Sequence, residues 1–122
     1  ASGEDYFSTA RLSRKQARDT AISMLEEAKQ DENASEDVLN EAAETLQVLA
    51  GYTVAESQIE NLVVAKGYTD CVAFMGADSV SVVVSSPTEL EAADVARIKD
   101  IVIAETDYTA GQIKIMEAGG TK

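Results

Sequence analysis

The sequence predicts an α+β fold: an N-terminal helical arm followed by a small two-layer αββαβ unit with a three-stranded sheet. Three observations predict it. About fifty residues of purely helical pattern come first. Then Thr53 to Glu117 carries the order helix, strand, strand, helix, strand. Finally, that second part is punctuated where such elements must end: Gly67, the Gly76-Ala77-Asp78-Ser79 turn, and Ser86-Pro87.

Phe7, Ala10, Arg14, Ala17, Ala21, Met24 and Ala28 recur at alternating spacings of three and four, which predicts a helix over about residues 6–30. Its stripe is mostly Ala, which packs closely but weakly. At 1.5 Å per residue such a helix is roughly 37 Å long, more than the width of a domain this small. Ser13 with Gln16 fits a capping box, but the stripe runs through it, so it is read as internal. Asp31-Glu32-Asn33 breaks the pattern. Ser35 is a fitting N-cap for a second helix, with Leu39, Ala42, Leu46 and Leu49 on its apolar face and Gly51 at its end. Thr53-Val54-Ala55-Glu56 reads as a capping box for a third helix that ends at Gly67. A single Gly costs only about 1 kcal/mol inside a helix, so a fused helix running through Gly51 stays open as the alternative.

Cys71 to Met75 reads as a strand. Val80, Val82 and Val84 alternate with Ser81, Val83 and Ser85, the pattern of a strand with one buried and one wet face. Ser86-Pro87-Thr88-Glu89 has the cap, proline and glutamate of a helix start; a start after Leu90 is the other possibility. Val95, Ile98, Ile101 and Val102 supply that helix's buried stripe. The last strand spans Gln112 to Glu117, with Ile113 and Ile115 inward. The division expected is an arm of two helices at 1–51, the αββαβ domain at 52–118 and a disordered tail at 119–122.

Composition narrows the function. The 122 residues carry 45% hydrophobic and 26% charged side chains, enough to build a core from Val, Ile, Leu and Ala. A net charge of −12 opposes nucleic acid and anionic membrane, because phosphate binding needs a basic field. No histidine is present, which removes the commonest general base and metal ligand and every Ser-His-Asp or Cys-His arrangement. The single Cys71 lies among apolar neighbours, where a thiol is inert. Phosphate-binding glycine motifs are missing, and no spaced Asp/Asn/Gly loop suggests calcium. The 22 acidic residues are read as a solvated face. No catalytic, cofactor-binding or metal-ligating residue is therefore expected. The longest apolar runs fall far short of the ~20 residues a membrane span needs. The chain starts Ala1-Ser2-Gly3, and is read as a fragment or processed form.

Six residues are candidates for an interface. Arg11, Arg14, Lys15 and Arg18 are spaced i, i+3, i+4, i+7 and share a helical face. They face either lipid headgroups or an acidic partner, or they pair with the chain's own acidic second helix, the reading favoured here. Val83 and Met116 point away from the expected core and mark an apolar sheet face. Either a partner or the folded-back arm covers it.

The stretches Arg11-Leu12-Ser13-Arg14-Lys15-Gln16-Ala17-Arg18-Asp19, Gln58-Ile59-Glu60-Asn61-Leu62, Ala65-Lys66-Gly67-Tyr68 and Ala93-Asp94-Val95-Ala96-Arg97-Ile98 resemble the stage III sporulation protein AH family. The resemblance spans about residues 6–118. It implies a ring-building-motif fold like that of secretion-system and flagellar basal-body proteins. It also implies an N-terminal membrane anchor, missing from this chain, that places the soluble domain between the mother-cell and forespore membranes. A stage II sporulation protein Q-like partner on the forespore side and self-association into a ring or channel-like assembly follow from the same resemblance, with no active-site residues and no cofactors. Two other classes stand beside this reading. A KH-like nucleic-acid-binding domain needs a GXXG loop and a basic surface, and the sequence has neither. A small ligand-sensing or carboxylate enzyme domain needs a concave polar pocket.

Overall fold

The computed structural model describes residues 3–118, and the tail expected at 119–122 lies outside them. The order is α1 (Gly3–Gln30), α2 (Glu36–Ala65), β1 (Asp70–Met75), β2 (Val80–Ser85), α3 (Ala92–Glu105), a 3-10 turn (Ala110–Gln112) and β3 (Ile113–Glu117). The strands lie in the order β1-β2-β3. β1 and β2 pair antiparallel, with Cys71 opposite Val84 and Met75 opposite Val80. β2 and β3 pair parallel, with Val80 opposite Ile113 and Val82 opposite Ile115. A parallel pair cannot be joined by a tight turn, and α3 supplies the crossover.

The α1–α2 turn is built as expected. Asn33 N donates to Asp31 Oδ1, and Val38 N donates to Ser35 Oγ, so Ser35 caps α2. Glu36 and Asp37 follow in the first turn, where the helix dipole favours acids. The break expected at Gly51 is absent. α2 is one helix of 30 residues, about 45 Å long, and the boundary drawn between 51 and 52 falls inside it. Burial of Ala42 before the glycine and of Ile59 and Val63 after it outweighs a cost of about 1 kcal/mol. The Thr53–Glu56 capping box is likewise absent. Thr53 Oγ1 donates to Leu49 O one turn back, as a mid-helix threonine does.

Gly67 ends α2 with φ +109°, a conformation that suits only glycine without strain. Behind it the chain turns so that Tyr68 enters the core. Gly67→Ala is expected to cost about 1 kcal/mol or more in urea denaturation. The open space around Gly67 leaves backbone strain as its sole cause.

α3 starts at Ala92, after Leu90, rather than at Ser86. Leu90 packs against the core and its N–H donates to Glu117 Oε1, which holds residues before it off the helix axis. Asp94 then reaches back to accept from Glu91 N at 2.8 Å. β3 begins one residue later than expected because Gln112 is engaged elsewhere. Its Oε1 accepts from Thr109 N and its Nε2 donates to Asp78 O, tying the 3-10 turn to the hairpin.

The sheet buries both faces. On one, Ile59, Val63, Val82, Val84, Ile98 and Val102 pack α2 and α3 against the strands. On the other, Phe7 and Ala10 of α1 lie over Val72, Val83 and Phe74. The arm therefore folds back, and Val83, expected on an outward face, is covered. Met116, on the same side, is 46% exposed.

Candidate interaction surface

Between α1 and β1 the sequence's basic patch meets carboxylates that α2 carries inward. Arg11, Arg14 and Arg18 lie along the α1 face turned to α2 and β1. Glu56 and Glu60, one turn apart on α2, meet them. Arg18 Nη1 and Nη2 donate to the two Glu56 oxygens at 2.6 and 3.1 Å. Arg14 Nη1 donates to Glu60 Oε2 at 2.7 Å, and its Nε lies 3.5 Å from Glu56 Oε1. Arg11 Nη2 donates to Asp70 Oδ1 at 2.6 Å. This pairing is with the C-terminal half of α2 and the start of β1, not with the acidic first turns of α2.

The layer also closes the outer edge of β1. Ala73 N donates to Glu60 Oε2 at 2.9 Å, and Met75 N donates to Glu56 Oε2 at 2.8 Å. The carbonyls of Cys71 and Ala73 accept from Arg11 and Arg14. Glu56 is 0% exposed and Glu60 9%. Burying a charge is costly unless it is paired and fully hydrogen-bonded. Among the described residues no buried side-chain polar atom lacks a partner. The Arg18 guanidinium is held above its ordinary pKa, chiefly by its hydrogen bond to Glu56, against the opposing effect of burial.

Glu56 and Glu60 correct the expectation of a solvated acidic face. A sequence signal for Glu56 exists: Tyr52, Glu56, Ile59 and Val63 follow a 4-3-4 spacing, so this glutamate sits in an apolar stripe. A carboxylate in such a stripe needs a cation opposite, and the arginines repeat at matching intervals.

Of the six candidate interface residues, the structure turns four inward: Arg11, Arg14, Arg18 and Val83. Lys15 stays outside, 70% exposed, bonded to Asp19 one turn along at 2.7 Å. Such a pair contributes about 0.3–0.5 kcal/mol. Val83 lies under Phe7, and Met116 stays exposed. Lys15 and Met116 are thus the members that reach solvent most fully.

Elsewhere the polar groups are tied up structurally. Tyr68 Oη donates to Asp94 Oδ1 at 2.7 Å and accepts from Arg97 Nη1 at 2.9 Å, pinning the start of α3 to the end of α2. The hydrogen bonds from Glu91 N and then Tyr68 Oη hold the Asp94 carboxyl below the usual range. A cleft of about 310 Å³ lies between the hairpin and the α3–β3 loop, lined by Tyr52, Met75, Asp107 and Tyr108 among others. The Tyr108 hydroxyl in it donates to Gly76 O. No group of metal-ligating side chains occurs among the described residues.

Cys71 is fully buried, and burial pushes its thiol up to about 12, with Glu60 adding to the shift. Iodoacetamide at pH 8 is expected to leave the folded chain unlabelled and to label it fully in denaturant. The unfolded thiol ionises from about pH 9 while the folded one resists. Stability from this group is therefore intact below pH 9 and is lost as pH rises towards 12.

The family model for SpoIIIAH-like protein matches residues 1–115, nearly the whole chain. The chain belongs to the SpoIIIAH-like family. Its fold is similar to the structure of the SpoIIQ–SpoIIIAH pore-forming complex, with a TM-score of 0.78 at 20% identity, over 93% of this chain and 98% of that one. It is also similar to the crystal structure of EscJ, a type III secretion system protein of enteropathogenic E. coli. There the TM-score is 0.52 at 23% identity, over 82% of this chain and 68% of that one. No curated protein matches the chain. The shared fold is the ring-building motif that the family resemblance implied, and its αββαβ order is the one read from the sequence. Membership in the SpoIIIAH-like family marks the chain as an interaction module of the sporulation machinery.

Proposed function

We propose that this chain is a non-enzymatic assembly module of a sporulation envelope complex. It sits outside the cytoplasm, associates with copies of itself, and binds a SpoIIQ-like protein of the forespore membrane to build a channel-like assembly. The observation that carries this reading is the family match over residues 1–115, on a fold shared with a member of a pore-forming complex. The site chemistry supports it. The strongest charges of the platform, Arg14, Arg18, Glu56 and Glu60, are spent on one another and on the β1 backbone, which leaves them no reacting partner. What remains is a stiff surface.

No helix among the described residues is long and apolar enough to cross a membrane. An anchor upstream of the first residue would tether the module and raise the effective concentration of its neighbours. Weak contacts then suffice for assembly. Met116 and Lys15 are the proposed contact residues. Met116→Asp is expected to leave folding stability within about 0.5 kcal/mol and to weaken capture of the partner or of a second copy at least tenfold. Isothermal titration separates the two effects, and an unchanged affinity removes Met116 from the interface.

The cellular test is deletion of the gene. Forespore maturation is expected to stop after engulfment, and normal spore yield would contradict the assignment.

A further inference from the structure

The end of the sheet where the β1–β2 hairpin turn meets the α3–β3 loop holds the cleft of about 310 Å³. Tyr52, Met75 and Tyr108 give it aromatic and apolar walls, and Glu105, Asp107 and Gln112 line it beside them. Those walls are fastened to one another. The Tyr108 hydroxyl donates to Gly76 O, Gln112 Nε2 donates to Asp78 O at 3.0 Å, and Tyr108 N donates to Thr106 Oγ1 at 3.3 Å. The fold therefore supplies the cleft preformed.

Its electrostatics have one sign. Its lining includes no lysine or arginine. Among the described residues Glu105 and Asp107 take part in no ion pair, unlike Glu56, Glu60, Asp70 and Asp94. Glu105 is also the last residue of α3, and the last turn of that helix carries no base. The helix dipole places partial negative charge at this end, so an acid there is locally unfavourable and a cation is favoured. Aromatic faces attract cations as well. The Arg18 guanidinium lies 5.9 Å from the Tyr52 ring centroid, but it binds both oxygens of Glu56, so that pair adds no net charge.

We infer that this cleft receives one basic side chain, a lysine or arginine, carried on the surface of the heterologous partner. The apolar stem lies against the tyrosines and Met75, and the cationic head meets Glu105 and Asp107 at the end of α3. This rests on the reading of the chain as an assembly module and names the chemistry that one part of its surface recognises. A protein-borne group fits the cleft better than a free amine. The volume stands at the lower limit for a small-ligand pocket. A free amine loses its own translational freedom for a few contacts, whereas a side chain on a docked protein arrives with the rest of the interface. A second copy fits less well, because copies at a net charge of −12 repel and Arg11, Arg14, Arg18 and Arg97 are held by carboxylates of their own chain.

NMR titration of the full chain with n-butylguanidinium, against neutral n-butanol, tests the cleft itself. Shifts are expected to concentrate at the Gly76, Ala77, Asp107 and Tyr108 amides, with a Kd of about millimolar, and to weaken when salt is raised to about 0.5 M. The variant carrying Glu105→Gln and Asp107→Asn is expected to bind the probe at least about fivefold more weakly. Its resistance to urea should be unchanged or slightly higher, since two acids that oppose the helix dipole are neutralised. Tyr52→Leu is expected to weaken the probe about threefold and Tyr52→Phe to restore it. Equal shifts with n-butanol, or shifts spread evenly over the acidic surface, overturn the proposal. Isothermal titration with the soluble domain of the SpoIIQ-like protein then tests the source of the basic group. Capture by the double variant is expected to be at least about tenfold weaker than by the unmodified chain. Equal capture by both overturns the partner as the source, and so does spermidine filling the cleft at micromolar concentration. Failure of the unmodified chain to bind that domain contradicts the function proposed above and removes the partner as the source, while the probe titration still decides the cleft.

Discussion

Glu56→Ala is expected to destabilise the chain by about 3 kcal/mol, among the largest effects of any single substitution outside the apolar core. The carboxylate is fully buried and serves three donors: Arg18 twice, Met75 N once, and Arg14 by proximity. Truncation leaves an orphaned amide at the β1 edge, which alone costs about 1–3 kcal/mol. It also strands the Arg18 guanidinium, which is 14% exposed, while Arg14 keeps Glu60 and the Ala73 carbonyl. Glu56→Gln keeps an oxygen for Met75 N and loses only the charge, so a cost of about 1–2 kcal/mol is expected. Urea denaturation orders the two variants. A loss below about 1 kcal/mol for the alanine variant would show that the layer contributes little and that α1 is held by other contacts.

Phe7→Ala is expected to cost about 3 kcal/mol, at the lower end for a buried aromatic. Phe7 is 1% exposed and forms the second apolar cluster with Val72 and Val83. Its loss opens a cavity over the sheet and removes the main apolar attachment of α1. Exchange of amides along α1 is expected to rise more than exchange in α3, which packs on the opposite face. Met24→Ala, at an exposed position of the same helix, serves as control and should change stability by less than about 0.5 kcal/mol. A uniform rise in exchange across both helices would contradict the two-faced core.

What was legible in the sequence was what local chemistry decides. Gly67 marked a left-handed turn because few other residues adopt that conformation cheaply. The alternating valines of Val80–Ser85 marked a strand, and the Gly76–Ser79 turn closed its hairpin, with Gly76 N donating to Ser79 O. Ser35 marked the start of α2 through its own hydroxyl. The misreadings all fell where a distant partner outbid a local signal. Thr53 and Glu56 have the residues of a capping box, yet Arg18 and Met75, far along the chain in either direction, claim Glu56. Gly51 has the look of a terminator, yet the helix is carried across it by burial on either side. Pro87 stands where helices begin, but Leu90 is drawn into the core and delays α3. The arginine–glutamate layer was half visible: spacing placed the bases on one face, and the favoured reading paired them within the chain. The depth of Glu56 and Glu60 was not visible, because 22 acids make any single one unremarkable until the sheet edge is in place.

The layer gives the module its mechanical character. Charge pairs and backbone bonds lock α1, α2 and β1 together, leaving β3 and the surface around Met116 as the accessible side of the platform. On the function proposed above, a module of this kind acts by presenting a fixed shape. Its energetics lie in contacts made with another protein, whose strength depends on a few well-buried anchors more than on total area.

Sedimentation velocity of this chain mixed with the soluble domain of the SpoIIQ-like protein from the same genome tests that claim most directly. The expected result is one heavier boundary that grows at the expense of both free species. Two boundaries that stay separate at every concentration, with the chain fully folded, would contradict it.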